Sequence, residues 1–196
     1  MISTTEFWDW FKNNSSQFFF LNQIDDENEK QRILDEFDSK LNEYSEGLYF
    51  EIGGHPDDTQ DLIITADGDI NYFKDVKHLV ENAPKISNWN IIAFKPPINE
   101  KFEINYEDIF IDSDNIWFKL DKNEDDSLNI TLFFKNLEKR YESQYGSVSL
   151  IILQTILGER YFNEKVSSVF FDELHEEELK ELYQLASLSD KVKNVY

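Results

Sequence analysis

The densest grouping of side chains able to do chemistry is His55-Pro56-Asp57-Asp58, with Asp61 just beyond, on a segment that begins Gly53-Gly54. An imidazole and several carboxylates can together hold a divalent metal. A site built on His55, Asp57 and Asp61 would make the chain a small metal-dependent hydrolase. The spacing argues for less. One histidine beside adjacent aspartates follows no sharp ligand rule, and neighbours in a loop do not converge on an ion without ligands from elsewhere. Asp and Gly are also the residues that build turns, so a solvent-exposed hairpin turn is the preferred reading.

Two other stretches imitate a calcium loop in part. Asp67, Asp69 and Asn71 stand at its first, third and fifth positions. The sixth is Tyr72, where the sharp turn needs glycine, and the twelfth is His78, where a bidentate glutamate is needed. Asp121, Asn123 and Asp125 repeat the partial match and end on Leu132. Both fail, and Asp69 or Asn71 reads instead as a helix cap. His78 lies beside Leu79 on a helical pattern and reads as a surface or partly packed residue. His175 opens an acidic stretch and reads as a residue of a helix's N-terminal turn.

Other chemistries lose their residues outright. The chain has no cysteine, which excludes disulfides, thiolate metal sites and a cysteine nucleophile. Gly146-Ser147-Val148-Ser149 lacks the second glycine of a nucleophile elbow, and neither a dinucleotide fingerprint nor a phosphate loop occurs. With 40 acidic residues, spacing cannot single out an acid/base pair. No cofactor is implied.

The net charge of -21 repels nucleic acid and anionic membrane surfaces and favours cations and basic partners. No apolar run reaches the length of a membrane span, the first residues do not resemble a signal peptide, and lipidation motifs are missing. The expected location is the cytoplasm.

Positioning these residues falls to a series of short elements. Ser3 and Glu6 have capping-box spacing, and Phe7, Trp8, Trp10 and Phe11 share one arc of the helix they open. Asn13 to Ser16 reads as a break. Phe18 to Leu21 is an apolar clamp, either a helical turn or an extended segment. Asp26 and Glu29 cap a second helix near Asn28 to Tyr44, with Ile33, Phe37 and Leu41 on one face, and Gly47 ends it. Leu48 to Ile52 and Leu62 to Ala66 alternate as two antiparallel strands. A helix carrying Phe73, Val76 and Val80 stops at Pro84. Trp89 to Phe94 is apolar on both faces, the pattern of a central strand.

In the remainder, Lys101 to Tyr106 is a polar connection with some strand character and Ile109 to Ile111 a short strand. Ile116 to Leu120 and Leu128 to Phe134 form a hairpin around the charged loop Asp121 to Ser127. A helix from Leu137 to Leu157 follows, with Gly146 as a candidate interruption and Gly158 at its end. A strand over Val166 to Phe171 and a terminal helix over 175–188 complete the chain. The architecture expected is one α+β domain over 1–196: N-terminal helices at 1–46 and sheet-forming halves at 47–97 and 101–172, each strand-strand-helix-strand. The sheet is mixed and largely antiparallel, with helices packed on it.

At Leu48–Gly54, Leu62–Gly68 and Trp89–Pro97, and at Ile156-Leu157-Gly158-Glu159, the chain resembles a family of small, acidic, uncharacterised bacterial cytoplasmic proteins, a domain of unknown function. Its acidic composition, rich in Asn, Ile and Phe, is also similar to immunity-type proteins that neutralise toxins. The first resemblance implies no activity, and neither transfers catalytic residues.

The expected role is a non-enzymatic, immunity-like binding domain. An acidic face would capture a basic protein by charge complementarity and aromatic anchors. Candidate contacts are Asp121, Glu124, Asp125 and Asp126 in the hairpin loop, or the acidic C-terminal helix with Glu176 and Glu177. The alternative is the metal-dependent hydrolase on His55, Asp57 and Asp61. Catalysis stays open with binding preferred, and the choice between monomer and homodimer is not legible.

Overall fold

The computed structural model describes residues 1–19, 21–54 and 59–193. It divides into two compact units, Met1–Lys95 and Pro96–Tyr196, with the border between the two sheet-forming halves. The fold class is α+β, with helices packed against mostly antiparallel sheets.

In the first unit, α1 (Thr4–Phe18) opens on the expected capping box. Glu6 N–H donates to Ser3 Oγ at 3.2 Å, and Ser3 N–H donates to Glu6 Oε2 at 2.7 Å. No break occurs at Asn13 to Ser16. Asn14 Nδ2 donates to the Trp10 carbonyl at 2.8 Å and Ser15 Oγ to that of Lys12 at 3.4 Å, so these polar side chains bond back onto the helix instead of competing with it. The helix runs on to seat Phe18 against Phe11 and Phe37. α2 (Glu27–Tyr44) starts at Asp26, whose carboxylate accepts from the N–H groups of Asn28 and Glu29 at 2.9 and 3.3 Å.

The strands β1 (Tyr49–Gly54) and β2 (Gln60–Thr65) pair antiparallel, and β3 (Trp89–Ala93) pairs parallel to β2 after α3 (Phe73–Glu81). The order β1-β2-β3 makes β2 central and β3 an edge strand. This corrects the central placement of Trp89 to Phe94: an apolar pattern on both faces reports burial, and burial alone does not count hydrogen-bonded neighbours. Phe7, Trp8, Phe11, Phe18, Phe37 and Trp89 form an aromatic core between helices and sheet. Trp8 Nε1 reaches the Leu79 carbonyl at 2.8 Å, which satisfies the one polar atom of that buried ring. Gly47 follows the Ser45 cap of α2, and a Cβ there would stand 2.3 Å from the Tyr72 ring. A close approach requires this glycine.

The second unit begins with the hairpin β4 (Glu103–Tyr106) and β5 (Ile109–Asp112). The antiparallel hairpin β6 (Ile116–Lys122) and β7 (Leu128–Phe134) follows as expected, in register from Ile116↔Phe134 to Lys122↔Leu128. α4 (Glu142–Leu157) and α5 (Glu159–Lys165) then return the chain to β8 (Val166–Glu173), parallel to β7. Gly146 does not interrupt α4. Its missing Cβ would lie 3.4 Å from the Phe171 ring, so the glycine sits where α4 meets β8. Gly158, at φ 76°, separates α4 from α5.

The expected terminal helix over 175–188 is corrected. The segment is a 3₁₀ turn at Glu176–Lys180, a short strand β9 (Tyr183–Gln184) pairing with β6, a 3₁₀ turn at Leu185–Ser187 and α6 (Leu188–Lys193). An α-helix would stack Glu177 and Glu181 at i,i+4, a repulsive pair. Leu179 and Tyr183, two residues of the supposed apolar side, are 38% and 45% exposed, while Leu185, Leu188 and Val192 are buried. The sheet order is β8-β7-β6-β9. Both units therefore trace hairpin, helix, parallel strand. No helix among the described residues is long and apolar enough to cross a membrane.

Candidate functional site

His55 and Asp57 lie outside the described residues. Asp61 sits in β2 opposite Asn90 of β3, and Asn90 Nδ2 donates to its carboxylate at 2.9 Å. Among the described residues no three His, Cys, Asp or Glu side chains are grouped to hold a metal.

The hairpin loop joining β6 to β7 is a tightly bonded turn. Asn123 N–H donates to the Ser127 carbonyl at 2.8 Å, and Asp126 N–H to that of Asn123 at 3.2 Å. Asp126 takes φ 65°, in the left-handed region. Asn123 and Asn129 exchange side-chain hydrogen bonds at 3.2 and 2.9 Å. Its carboxylates are largely spent within the turn. Asp125 accepts from Ser127 Oγ at 2.6 Å and Ser127 N–H at 3.1 Å, which holds its pKa below the ordinary carboxylate value. Lys122 Nζ stands 2.7 Å from Asp126 and lowers its pKa in the same way. Asp121 faces Lys119 at 3.4 Å. Glu124 is exposed.

Glu176 and Glu177 are exposed, but elsewhere. β7 leaves the loop at Leu128, and β8 runs parallel to it from Val166 to Glu173. Leu174 N–H donates to the Phe134 carbonyl at 2.9 Å, so the chain reaches Glu176 from the far end of β7. Seven strand residues at about 3.3 Å each put roughly 20 Å between the two acidic groups. The structure does not bring them together.

It does bring together a set that spacing could not reveal. At the end of the sheet remote from the loop, a cleft of about 530 Å³ opens between β5, the start of β6 and the segment after β7. Its floor is Ile109, Ile111, Ile116, Phe134 and Tyr145, all buried. Its walls carry Asp108, Asp112 and Glu138 against a single cation, Lys135. Phe110, 57% exposed, also lines it.

The carboxylates differ in engagement. Asp112 accepts from Asp114 N–H at 2.9 Å and Asn115 Nδ2 at 3.0 Å, an orientation fixed by the 3₁₀ turn it caps. Glu138 meets Arg140 at 2.7 Å, and Arg140 also lies 4.6 Å above the Tyr141 ring. Asp108 is exposed and has no ion-pair or hydrogen-bond partner among the described residues. Burial pushes the Tyr145 phenol pKa up, partly offset by a hydrogen bond with the Glu138 backbone, so it stays neutral at physiological pH.

The arrangement can accept a cation with an apolar stem: carboxylates for the charge, isoleucines for the methylenes, an aromatic ring for either. Its volume is in the range of pockets that hold small ligands or single side chains. One part was legible in sequence. Burial of Ile109 and Ile111 in a strand turns Phe110 to the opposite face. Asp108 and Asp112 bracket one strand, and nothing in spacing linked them to Glu138 among 40 acids.

Compared with known proteins, the chain matches no family model, no curated protein and no solved structure.

Proposed function

We infer that the chain is a non-enzymatic, immunity-like binding domain, acting in the cytoplasm, that takes a basic protein. The observation that carries this reading is the cleft of the second unit: an apolar floor under three carboxylates, one of them, Asp108, without a partner among the described residues. A lysine or arginine of the partner enters there, its methylenes on Ile109 and Ile111 and its charged head near Asp108 and Glu138. Glu176 and Glu177, at the same end of the sheet, extend the attraction. The hairpin loop contributes long-range steering more than contact, since Asp125 and Asp126 are already bonded within the turn. Of the metal-dependent alternative, only Asp61 lies among the described residues, where it accepts from Asn90 Nδ2.

A tetra-arginine peptide titrated into labelled protein, followed by amide NMR, tests the reading. Amides of Asp108, Asn115 and Asn136 should shift first, and the joint variant Asp108→Asn, Glu138→Gln should weaken the response several-fold. Shifts concentrated at Asn123 to Ser127, or spread evenly over the surface, would sink the cleft as the binding site. Pull-down from a bacterial lysate at low and high salt, repeated with the same variant, identifies the natural partner by mass spectrometry.

A further inference from the structure

An acidic pocket for one side chain needs carboxylates and a floor. The cleft also has a row of backbone. Asp108, Ile109, Phe110, Ile111 and Asp112 all line it, and no residue of β4 does. Successive side chains of a strand leave by opposite faces. Five consecutive residues therefore border one space only where that space runs along the strand's backbone edge, here the edge of β5 away from β4.

That edge is open. β5 pairs with β4 alone, in a two-stranded sheet. Ser113 N–H donates to the Phe102 carbonyl at 3.1 Å, one step beyond the Glu103↔Asp112 pair. Antiparallel pairs alternate between bonded and unbonded. Counting back from Ser113, Ile111 and Ile109 bond to β4, while Asp112 and Phe110 turn their backbone groups outward. The N–H groups of both, and the Phe110 carbonyl, have no hydrogen-bond partner among the described residues. Lys135, Asn136 and Glu138, which also border the cleft, lie outside any strand. A two-stranded hairpin is marginal by itself, so a third strand would complete β4–β5 as a sheet.

The side chains specify that strand. Asp108, Phe110 and Asp112 alternate with the buried Ile109 and Ile111, so one face of the edge reads carboxylate, ring, carboxylate. Side chains directly opposite on paired strands pack against one another, and opposite charges or an aromatic with a β-branched residue are favourable pairs. Lys135 opposes a cation in the cleft, but Asp108, Asp112 and Glu138 outnumber it.

We propose, resting on the reading of the cleft as the site for a basic protein, that the partner enters as an extended strand added to β5. Its backbone pairs with Phe110 and Asp112. Basic side chains stand opposite Asp108 and Asp112, with a β-branched residue between them opposite Phe110. The two alternate positions turn apolar side chains to the isoleucine floor. The segment recognised is thus basic-apolar-β-branched-apolar-basic, held by main-chain bonds for affinity and by alternate side chains for specificity. β5 has four residues, about 13 Å of edge, which five residues of an extended chain span.

The probe is the blocked peptide Arg-Val-Thr-Val-Arg, whose pattern reads alike in both directions. Its first control carries an N-methyl group on the threonine nitrogen, which keeps both charges and removes the central donor. Its second, Arg-Arg-Thr-Val-Val, keeps the composition and puts the two charges on opposite faces. Titrated into the full chain, each control should bind about ten-fold more weakly than the probe, the scale of one or two hydrogen bonds. Amide exchange of the saturated complex gives a second readout, independent of the controls. Exchange of Phe110 and Asp112 should slow about ten-fold, with little change at Ile109 and Ile111, which are already bonded to β4.

Equal binding of the three peptides, or a saturated complex without new protection at Phe110, would overturn the added strand. If those peptides still shift the cleft amides and are weakened by the joint variant Asp108→Asn, Glu138→Gln, the cleft remains the site for a basic side chain. If none of them shifts the cleft amides, the added strand and the cleft reading fall together.

Discussion

The two units follow one path with different surroundings. Each has an antiparallel hairpin, a helical crossover and a third strand parallel to the second, in the orders β1-β2-β3 and β6-β7-β8. The first is preceded by α1 and α2, which close its core with Phe7, Trp8, Phe11 and Phe37 and turn ion pairs outward. The second has no such pair of helices. It is flanked by the β4–β5 hairpin and edged by β9, and α4 of its crossover carries no charge after Glu142. Of the ten large hydrophobic residues exposed among those described, seven (Ile98, Phe110, Leu150, Ile151, Phe170, Leu179 and Tyr183) belong to the second unit. Closure by dedicated helices makes a stable unit. The same topology without those helices carries the cleft between β5, the start of β6 and the segment after β7.

The contrast breaks most visibly in the cores. Phe37 is fully buried and meets the rings of Phe7, Trp10, Phe11, Phe18 and Phe50. Phe37→Ala should cost about 4–5 kcal/mol, near the top of the range for such truncations. Among the described residues Phe118 has one ring neighbour, Tyr183, and Phe118→Ala should cost about 3 kcal/mol. Denaturant titration of both variants checks the order, and equal losses would remove the distinction between the cores.

The glycines sharpen it at the next scale. Gly47→Ala places a methyl against the Tyr72 ring and should destabilise by about 1–3 kcal/mol. Gly146→Ala meets Phe171 only at van der Waals distance and relieves the entropy cost of glycine within a helix. It should stabilise by up to about 1 kcal/mol. Thermal melts of the pair should move in opposite directions.

Smaller again is Ser3→Ala, which removes the capping box of α1 at about 1 kcal/mol, visible as a lower denaturant midpoint with an unchanged slope.

The last effect is acid sensitivity. Hydrogen bonds from the Ser3 backbone and hydroxyl hold Glu6 below its ordinary value of 4.5, and Ser127 and Lys122 hold Asp125 and Asp126 below 3.8. A pKa lowered by folding gives stabilisation that is complete above the unfolded value and lost as pH falls through the folded one. Stability should therefore decline as pH drops below about 4.5 for the α1 cap and below 3.8 for the turn. The decline is slight because these groups are exposed. A stability–pH curve of Asp126→Asn, shallower at its acid end than that of the parent chain, checks the turn.

Elements whose signal is local were legible. Ser3-x-x-Glu6, Asp26, the alternation of Ile116, Phe118 and Leu120 against Leu128 to Phe134, and Gly158 all act within a few residues of themselves, and each stands where its pattern puts it. Elements decided at a distance were not. Leu179, Leu182, Tyr183 and Leu185 have helical spacing, yet pairing with β6 and the repulsion of Glu177 and Glu181 draw the segment into turns and a strand. Trp89 to Phe94 is apolar enough for a central strand and lies at an edge, because β3 pairs with β2 alone and an apolar pattern does not count strand neighbours.

The site divides in the same way. Composition alone determined that the chain is acidic and cysteine-free, and so favours cations over phosphates, since charge adds regardless of fold. Only the tertiary structure decided which carboxylates remain available. Asp125 and Asp126, prominent in sequence, are bound by Ser127 and Lys122. Asp108 and Asp112, at the two ends of β5, are gathered with the distant Glu138 around one apolar floor. A hydrogen bond or a cleft depends on positions in space, and spacing along the chain encodes these only within a single helix, strand or turn.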